Sequence, residues 1–275
     1  MIDLKNLDSK HLKLIQAGLK GYGLYRMKID GIYGPGSQRA YNSYLGKTPK
    51  PAPPSRSLTP PPTWGHSSSK EIGIGGLNLS KESIDRLIYY EVGGEAYYNK
   101  KLKGVTLPPG YSSLTIGIGI DLAYYSKSKL EEMLDSCCPS LTETAKSLLI
   151  RYTGIKRAQA KKVLISLSWI KIPYAEAYSM FVKYTLPDYA AKALRAYPGL
   201  NQLKPNAQGA MVSLVFNRGS SMKGSRRREM LNLKKHVKRR DYESMADEFY
   251  SMKRLWPKIR GLRLRRDSEA KLILS

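Results

Sequence analysis

The segment from residue 80 to residue 121 constrains the fold most, because it joins a capped amphipathic helix to a short alternating stretch. Ser80 predicts the start of a helix over residues 80–92, since its hydroxyl can accept a free backbone N–H, and Gly93 predicts its end. One face of this helix carries three apolar residues and a single carboxylate, namely Ile84, Leu87, Ile88 and Glu91. We expect desolvation on that face to raise the pKa of Glu91, which favours the protonated form that a general acid needs.

The stretch 114–121 alternates with the period of a β-strand. The first face is apolar and carries Leu114, Ile116, Ile118 and Ile120. The second face has few side-chain atoms, because it carries Thr115, Gly117, Gly119 and Asp121. Two glycines on one face let a ligand, such as a sugar chain, approach the backbone closely. A flat strand would separate Thr115 from Asp121 by roughly 20 Å. Both can act on one bond only if the chain bends at Gly117 or Gly119, which glycine permits.

These residues carry a resemblance to a known family. The helix ending at Glu91, the Ala-Tyr-Tyr run at 96–98 and the pattern T-x-G-x-G-x-D at 115–121 resemble the phage-lysozyme superfamily, and the pesticin-like muramidase branch in particular. Commoner phage lysozymes carry an aspartate where this chain has Asn99, whereas the pesticin-like branch carries it six residues after the threonine, where Asp121 stands.

The resemblance implies a catalytic site of Glu91, Thr115 and Asp121, with Gly117 and Gly119 in contact with the substrate. Two alternatives remain open. Glu95 is the acid if the helix ends earlier than residue 92, and Asp121 is a structural cap if a helix begins directly after it.

Helical patterns follow the alternating stretch to the end of the chain, at residues 126–134, 141–152, 157–167, 172–186, 186–197, 205–216, 229–237 and 241–252. One small sheet region followed by helices predicts an α+β class in which helices dominate. The resemblance implies a lysozyme-like catalytic domain, whose central buried helix corresponds to residues 210–219. It places Asn217 and Arg218 near the substrate. Arg265 and Arg266, in the last helix, are solvated helix charges or, as the resemblance implies, lie near the wall polymer or in structural ion pairs.

Residues 1–47 form a separate predicted module of two helices joined by glycine turns. The steps Ile29-Asp30-Gly31 and Tyr33-Gly34-Pro35-Gly36 resemble the small peptidoglycan-binding domain of wall hydrolases. The resemblance implies that Tyr22, Tyr25 and Tyr33 stack on sugar or peptide groups; alternatively, they form the core of a small helical hairpin that packs on the catalytic domain. Residues 48–76 are rich in Pro, Ser and Gly and predict a linker, which leaves 77–275 as the muramidase domain.

The charge of the chain implies a polyanionic partner. Lys and Arg number 47 against 22 Asp and Glu, which gives +25 at pH 7. Peptidoglycan is the expected partner, and the basic amphipathic residues 255–275 suggest lipopolysaccharide or an anionic membrane surface as a second one. A specific nucleic-acid-binding protein is the more distant alternative, since no helix-turn-helix, zinc spacing or aromatic strand platform is visible. We expect a monomer.

The cysteines, the histidines and the N-terminal segment restrict the redox chemistry, the metal binding and the location that we expect. The adjacent Cys137 and Cys138 predict two free thiols in a helix-ending turn, because a disulfide between neighbours is strained. The three histidines are isolated, so we expect no metal and no cofactor. The N-terminus lacks the pattern of a signal peptide, so the expected location is the host cytoplasm until lysis, then the periplasm through a holin-type pore.

The expected reaction is hydrolysis of the β-1,4 bond between N-acetylmuramic acid and N-acetylglucosamine, by an endolysin that lyses the host. Glu91 would protonate the leaving oxygen, while Asp121 and Thr115 orient a water on the opposite face, which inverts the configuration. An inverting enzyme has its carboxyl groups roughly 6.5–9.5 Å apart, against about 5 Å for a retaining one. A lytic transglycosylase, which uses Glu91 alone, and a bacteriocin or effector muramidase are the alternatives.

Overall fold

The computed structural model describes residues 4–21, 23–25, 27–46, 70–108 and 112–275. The helices in chain order are α1 (Ser9–Gly21), α2 (Pro35–Gly46), α3 (Lys81–Val92), α4 (Gly94–Tyr97), α5 (Lys127–Cys137), α6 (Glu143–Arg151), α7 (Arg157–Val163), α8 (Tyr174–Met180), α9 (Leu186–Ala196), α10 (Pro205–Arg218), α11 (Arg228–Arg239), α12 (Tyr242–Ser251) and α13 (Arg260–Leu274). The strands are β1 (Glu71–Ile74), β2 (Leu77–Ser80), β3 (Thr115–Ile116) and β4 (Ile120–Asp121), paired as two antiparallel hairpins. The fold is therefore mostly helical with a small β component, as predicted.

The chain divides into two compact units. The first contains the described residues up to 46 together with Ala96–Met180, and the second contains residues 70–95 together with Phe181–Ser275. Glu91 belongs to the second unit, whereas Thr115 and Asp121 belong to the first.

The second unit is built around α10, most of which is buried on all sides. Its residues from Ala207 to Val215 are buried, and β2, α3, α9 and α13 pack against it. The approach of α3 is so close that a Cβ added to Gly209 would lie 1.9 Å from the Ser83 hydroxyl oxygen. A glycine is therefore required at this helix crossing, and it fixes the position of the helix that carries Glu91.

The first unit packs α5 against α6 and α8, and the turn of the β3–β4 hairpin at Gly117 lies against Ala177 and Met180 of α8. The apolar residues of the alternating stretch lie in its core, with Leu114, Ile118 and Ile120 fully buried. In the N-terminal part, α1 packs against the 3-10 turn Leu164–Leu167, and the Tyr41 hydroxyl of α2 donates a hydrogen bond to the Lys162 carbonyl oxygen at 3.5 Å.

The helices match the sequence pattern in number and order over residues 126–252. The predicted helix 172–186 differs in one respect, because its second half, Phe181–Thr185, is a π-helix. Pro187 follows this turn and sits in the first turn of α9, where its missing N–H is tolerated.

The predicted linker 48–76 overlaps an ordered element at its end. Residues 48–69 lie outside the described residues, but Glu71–Ile74 pairs with Leu77–Ser80, and the hairpin turn at Gly75 and Gly76 has positive φ angles of 56° and 84°. These glycines, predicted to be flexible, form a tight turn against α9 instead, since a Cβ at Gly75 would meet the Pro187 carbonyl oxygen at 2.7 Å. The domain boundaries at 47 and 76 stay a prediction.

Cys137 and Cys138 are free and buried at the end of α5, as predicted. Burial raises the pKa of the Cys138 thiol to about 12. Among the helices of the described ranges, none combines the length and the apolar character needed to span a bilayer.

Candidate active site

Glu91 lies in the last turn of α3, where the sequence pattern places it. Ser80 caps the helix by accepting the Ser83 backbone N–H at 3.1 Å, and Gly93, with φ of 76°, ends it. Because the helix continues to Val92, the condition under which Glu95 would be the acid is not met. Ile84, Leu87 and Ile88 are buried on the same helix, while the Glu91 side chain keeps 33% exposure. Its carboxylate is therefore held at the edge of an apolar face and remains accessible.

The partner of Glu91 is Arg265, on α13. The two side chains approach to 3.8 Å between Arg265 Nη1 and Glu91 Oε2. Arg265 is only 3% exposed and is held by Glu269, whose Oε1 lies 3.2 Å from Arg265 Nε, and by Ser213, whose hydroxyl and carbonyl oxygens both accept from Nη2. The guanidinium is thus held by side chains of its own unit, and it places a positive charge 3.8 Å from the Glu91 carboxylate.

A second arginine completes this buried cluster. Arg266 is fully buried and donates to Glu269 Oε1 at 2.8 Å, and the Ser213 hydroxyl donates to the same oxygen at 2.5 Å. Arg265 and Arg266 are therefore not solvated charges but members of structural ion pairs with Glu269. Because both side chains are buried, neither of them contributes to the basic surface predicted for residues 255–275.

The alternating stretch bends into a hairpin, so it is not one continuous strand. Gly117 and Gly119 adopt positive φ angles of 55° and 75°, and residues 115–116 pair with 120–121. The bend makes Thr115 the direct cross-strand partner of Asp121, whereas a flat strand would hold them roughly 20 Å apart. A Cβ at Gly117 would lie 3.2 Å from the Met180 methyl carbon, so the turn is both strained for other residues and tightly packed.

The side chains of Thr115 and Asp121 are held in fixed orientations. Asp121 Oδ1 accepts the Ala123 N–H and Oδ2 accepts the Ser113 N–H, both at 3.0 Å. The Thr115 hydroxyl donates to the Ser113 carbonyl oxygen at 3.2 Å, which leaves its own lone pairs for a further donor. Asp121 is half-buried and keeps acceptor capacity on both oxygens. The pair can therefore bind and orient a water molecule.

The hydrogen bond from the Ala123 N–H also tests the alternative in which Asp121 is a structural cap. This residue caps the single 3-10 turn Leu122–Tyr124, so the structural role that the sequence left open is present. A carboxylate can cap a turn and still accept from water, because each oxygen has two lone pairs.

A support layer behind the hairpin was not visible in the sequence. The Ser113 hydroxyl donates to the Ile155 carbonyl oxygen at 2.7 Å, and Arg157 donates to the carbonyl oxygens of Pro108 and Ser112 at 2.5 and 3.0 Å. These contacts tie the chain that leads into β3 to the loop before α7. Single polar residues of this kind carry no periodic signal, so only the fold reveals them.

The three tyrosines predicted to stack on the wall polymer differ in their surroundings. Tyr22 lies outside the described residues. Tyr25 is 4% exposed, and its hydroxyl donates to the Lys28 carbonyl oxygen, as the core alternative requires. Tyr33 is half-buried and donates to Gln38 at 3.4 Å. A stacking role is therefore compatible with the partly exposed ring of Tyr33 and not with the buried ring of Tyr25.

One buried amide organises this N-terminal part. Gln16 accepts the backbone N–H groups of Asp30 and Gly31 at 3.0 and 2.9 Å, and it donates to the Asp30 carboxylate, the Ile32 carbonyl oxygen and the Ser37 hydroxyl. The glycine turn at Gly31 is thus held by α1 through a single side chain.

Asn217 and Arg218 lie at the end of α10, where they line a cavity of about 490 Å³. Burial and the neighbouring charge of Arg227 lower the pKa of Arg218 to about 10. Their predicted contact with substrate stays a prediction. In the described part of the chain, no group of three or more His, Cys, Asp or Glu could hold a metal ion.

Comparison with known families identifies the chain. The phage lysozyme family model matches residues 100–269, which is more than half of the sequence. The matched range contains Thr115, Asp121 and the Arg265 cluster, and Glu91 precedes it. No curated protein matches the chain. The chain therefore belongs to the phage lysozyme family, and it is a lysozyme-like glycoside hydrolase that acts on peptidoglycan.

Proposed function

We propose that this protein is an inverting endolysin muramidase. It hydrolyses the β-1,4 bond between N-acetylmuramic acid and N-acetylglucosamine, with Glu91 as the general acid and with Asp121 and Thr115 as the residues that activate water. The observation that supports the proposal is the cross-strand pairing of Thr115 with Asp121, because directly opposed residues carry their side chains on the same face of the hairpin. In the proposed site, the carboxylate and the hydroxyl accept from one water molecule.

The mechanism uses the two carboxyl groups differently. Glu91 donates its proton to the leaving glycosidic oxygen as positive charge develops on the sugar ring. Arg265 positions the Glu91 carboxyl group, and it stabilises the carboxylate that remains after proton transfer. Asp121 accepts a proton from the attacking water, which the Thr115 hydroxyl orients, and attack from the opposite face of the ring inverts the anomeric carbon.

The biological setting is proposed from the architecture. Residues 1–47 would bind peptidoglycan and residues 48–76 would tether this module to the muramidase domain, which raises the local concentration of substrate. The enzyme would remain in the host cytoplasm and reach the periplasm through a holin-type pore. The pattern T-x-G-x-G-x-D at residues 115–121 supports membership of the pesticin-like branch of the superfamily.

A second partner is proposed for the basic C-terminus. Lys258, Arg260 and Arg263 are exposed, and they could bind lipopolysaccharide or another anionic membrane surface. The test neutralises these three charges, because deleting α13 would remove a helix that packs on α10 and α12. Unchanged binding of the neutralised protein to lipopolysaccharide vesicles, with an unchanged salt dependence, would reject this role.

The cleavage chemistry is tested on purified peptidoglycan with mass analysis of the sugar ends. Wild type should release reducing N-acetylmuramic ends, and Glu91→Gln should lower the rate by about 10²–10⁴. Glu95→Gln is the matched control, since it removes an exposed carboxylate four residues further on, and it should retain the wild-type rate. Proton NMR of the newly formed anomer should show inverted configuration.

Two substitutions distinguish a catalytic role of Asp121 from its structural role as the cap of the turn Leu122–Tyr124. Asp121→Ser retains a side-chain oxygen that can cap Ala123, while Asp121→Asn preserves shape without the charge. Each variant leaves one of the two backbone N–H groups that Asp121 accepts without its acceptor, so we expect a loss of about 1–3 kcal/mol in the free energy of unfolding. The rate of the folded protein should fall by about 10²-fold or more.

A lytic transglycosylase is the second candidate, favoured by the two backbone N–H groups that Asp121 already accepts. Anhydro ends, or an Asp121→Asn protein with full activity, would establish that reaction instead.

A further inference from the structure

The N-terminal helices pack on the same compact unit that carries the catalytic hairpin. The first unit contains the described residues up to 46 together with Ala96–Met180, and α1 packs against the 3-10 turn Leu164–Leu167. Ile165 of this turn is only 1% exposed. A module whose only link to the enzyme is a tether would not need such a contact. The contact therefore indicates a role of residues 4–46 in the catalytic part of the chain, besides wall binding.

The crossing of α1 over the 3-10 turn depends on Gly18. A Cβ added to this residue would lie 3.3 Å from the Ser168 hydroxyl oxygen and 3.8 Å from the Ile165 Cγ2 atom. Glycine is unfavourable in the interior of a helix, so its presence inside α1 matches a close approach that a larger residue would obstruct. Its neighbour Ala17 is exposed, so one face of α1 lies against the catalytic part and the adjacent face lies in solvent.

The second helix of the N-terminal part makes a further contact with the catalytic part. Tyr41 of α2 is fully buried, and its hydroxyl donates to the Lys162 carbonyl oxygen of α7 at 3.5 Å. The cavity that remains beside α1 has a volume of about 50 Å³, and Ile15 and Trp169 are among the residues that line it. This volume is far below the roughly 300–1,000 Å³ of small-ligand sites, so the contact is closed and is not a groove for a ligand.

The N-terminal helices therefore dock on residues 157–169, which we call the docking segment. The beginning of this segment also holds the chain that enters β3. Arg157 donates to the Ser112 carbonyl oxygen at 3.0 Å, and the Ser113 hydroxyl donates to the carbonyl oxygen of Ile155, two residues before the segment, at 2.7 Å. The position of Ser113 is therefore coupled to that of the docking segment.

Ser113 is the residue through which this support reaches the catalytic pair. Its backbone N–H donates to Asp121 Oδ2 at 3.0 Å, and its carbonyl oxygen accepts the Thr115 hydroxyl at 3.2 Å. Both proposed water-binding side chains are thus oriented by one residue, whose own hydroxyl is bound beside the docking segment. A displacement of that segment should move the carboxylate and the hydroxyl together.

The other end of the docking segment is connected to Thr115 by a second route. The Ser168 carbonyl oxygen accepts the Lys171 ammonium at 2.7 Å, and Lys171 pairs with Gly104 in an antiparallel bridge. Two residues further along, Thr106 exchanges both backbone hydrogen bonds with Thr115, each 2.8 Å long. The docking segment is therefore connected at both of its ends to the chain beside the hairpin.

We propose that the docked N-terminal helices position the water-binding pair of the active site. By packing on the docking segment, α1 and α2 hold it in the position from which Ser113 orients Thr115 and Asp121. Residues 4–46 are then a positioning element for hydrolysis, in addition to the wall-binding role proposed above. This inference rests on the proposed catalytic roles of Thr115 and Asp121, and it needs no contact between the N-terminal helices and the wall.

The test uses the full chain with paired substitutions on α1. Gly18→Phe places a large side chain at the closest approach to Ser168, so it should separate α1 from the docking segment. Ala17→Phe is the matched control, because it adds the same ring at an exposed position one residue earlier. Gly18→Ala is the conservative variant, since a Cβ contact of 3.3 Å needs only a small displacement. If Gly18→Phe does not fold, Gly18→Val and Ala17→Val take the place of the phenylalanine pair.

The substrates are insoluble peptidoglycan and soluble fragments of two disaccharide repeats. A tether raises the local concentration of a polymer that both parts bind, so it gives no advantage on fragments too short to occupy both. On these fragments kcat of Gly18→Phe should be about 10-fold or more below that of Ala17→Phe, as expected for a displaced catalytic group, with KM within about twofold. Gly18→Ala should retain the wild-type kcat within about twofold. Equal kcat values for the phenylalanine pair on the fragments, with a loss confined to the insoluble polymer, would overturn the proposal.

Amide hydrogen exchange tests the same contact without any substrate. The Ser113 and Ala123 N–H groups, which donate to Asp121, should exchange at least about fivefold faster in Gly18→Phe than in Ala17→Phe. The buried amides of α10, which lies in the other unit, should exchange equally in both variants and so report that each is folded. Equal exchange of the Ser113 and Ala123 amides in the two variants would reject the positioning role.

Failure of the proposed function is recognised separately. If wild type releases no new sugar ends from peptidoglycan, the muramidase assignment fails, and the exchange measurement then decides whether the N-terminal helices hold the hairpin. Faster exchange in Gly18→Phe alone supports that role, and equal exchange rejects it.

Discussion

Replacing Gly209 by Ala tests the helix crossing on which the position of Glu91 depends. Two effects of this substitution oppose each other. In the interior of a helix, alanine is favoured over glycine by about 0.8–1 kcal/mol, so propensity alone predicts a more stable protein. The packing predicts the reverse, because the new Cβ would lie 1.9 Å from Ser83 Oγ and 2.1 Å from Ser83 Cβ.

The packing effect should be the larger one. Real Cβ atoms do not approach other atoms within 3.0 Å, so α3 and α10 must separate by more than about 1 Å, and overpacking of this kind typically costs about 1–3 kcal/mol and sometimes more. The move also strains the hydrogen bond from the Ser83 hydroxyl to the Ser80 carbonyl oxygen, 2.7 Å long, at the capped start of α3. We expect Gly209→Ala to lower the free energy of unfolding by about 2 kcal/mol net, or roughly 4–8 °C in Tm.

Thermal and urea unfolding of wild type, Gly209→Ala, Ser83→Gly and the double variant measure this coupling. Removing the Ser83 side chain opens the space that the new methyl group needs, so the double variant should be more stable than the sum of the single effects by about 1–2 kcal/mol. The activity of folded Gly209→Ala should also fall, because Glu91 lies eight residues, or about 12 Å, further along the displaced helix. A Gly209→Ala protein that unfolds at a higher temperature than wild type would refute the reasoning.

Three further substitutions test the site and its support. Gly117→Ala forces a side chain into a left-handed conformation at φ 55°, so we expect a loss of about 1–2 kcal/mol in urea unfolding and a larger loss of peptidoglycan hydrolysis; full activity would contradict the role of the bend. Arg265→Met leaves a buried carboxylate with one partner fewer and should cost about 3–5 kcal/mol in the same measurement, with reduced hydrolysis by the folded fraction because Glu91 loses its ion pair. Burial alone would raise the pKa of Glu229, but hydrogen bonds from Arg254 lower it below its usual value of 4.5. Its contribution to stability is therefore present above pH 4.5 and lost as the pH falls through the lowered pKa, so Tm should fall more steeply below pH 4.5 in wild type than in Glu229→Gln.

The parts of the fold that sequence reasoning predicted are those governed by local chemistry. Ser80 and Gly93 delimit α3 because a cap and a left-handed glycine act within one helical turn. The helical periods after residue 126 are likewise local, and they give the right order of helices. Even the bend at Gly117 and Gly119 follows from a local argument, since two polar residues on a flat strand could not serve one bond.

The parts that it missed depend on contacts between distant residues. Arg265 contacts Glu91 across 174 positions of the chain, and its spacing to Glu269 indicates only a neighbour on the same helix face. Gln16, on α1, holds the Gly31 turn from fifteen positions away, yet a glutamine on a helix is ordinarily a solvated residue. Residues 71–76 were predicted to be linker because their strand character depends on pairing with Leu77–Ser80, which the composition of residues 71–76 does not show.

The two proposed catalytic carboxylates contact different kinds of group, backbone N–H groups for Asp121 and a charged side chain for Glu91. Different substitutions should therefore inactivate each of them. Asp121 is oriented by backbone N–H groups within eight residues of it, so its geometry depends on the conformation of the hairpin and little on neighbouring side chains. Glu91 is oriented by a buried cluster of charged side chains on α13, so a substitution in the last fifteen residues can displace it. A buried charge cluster is costly to break from either side, which makes the acid the more vulnerable of the two groups. Substitutions of Arg265 or Glu269 should therefore damage proton donation while leaving the water-binding pair intact, and loss of the hairpin glycines should have the reverse effect.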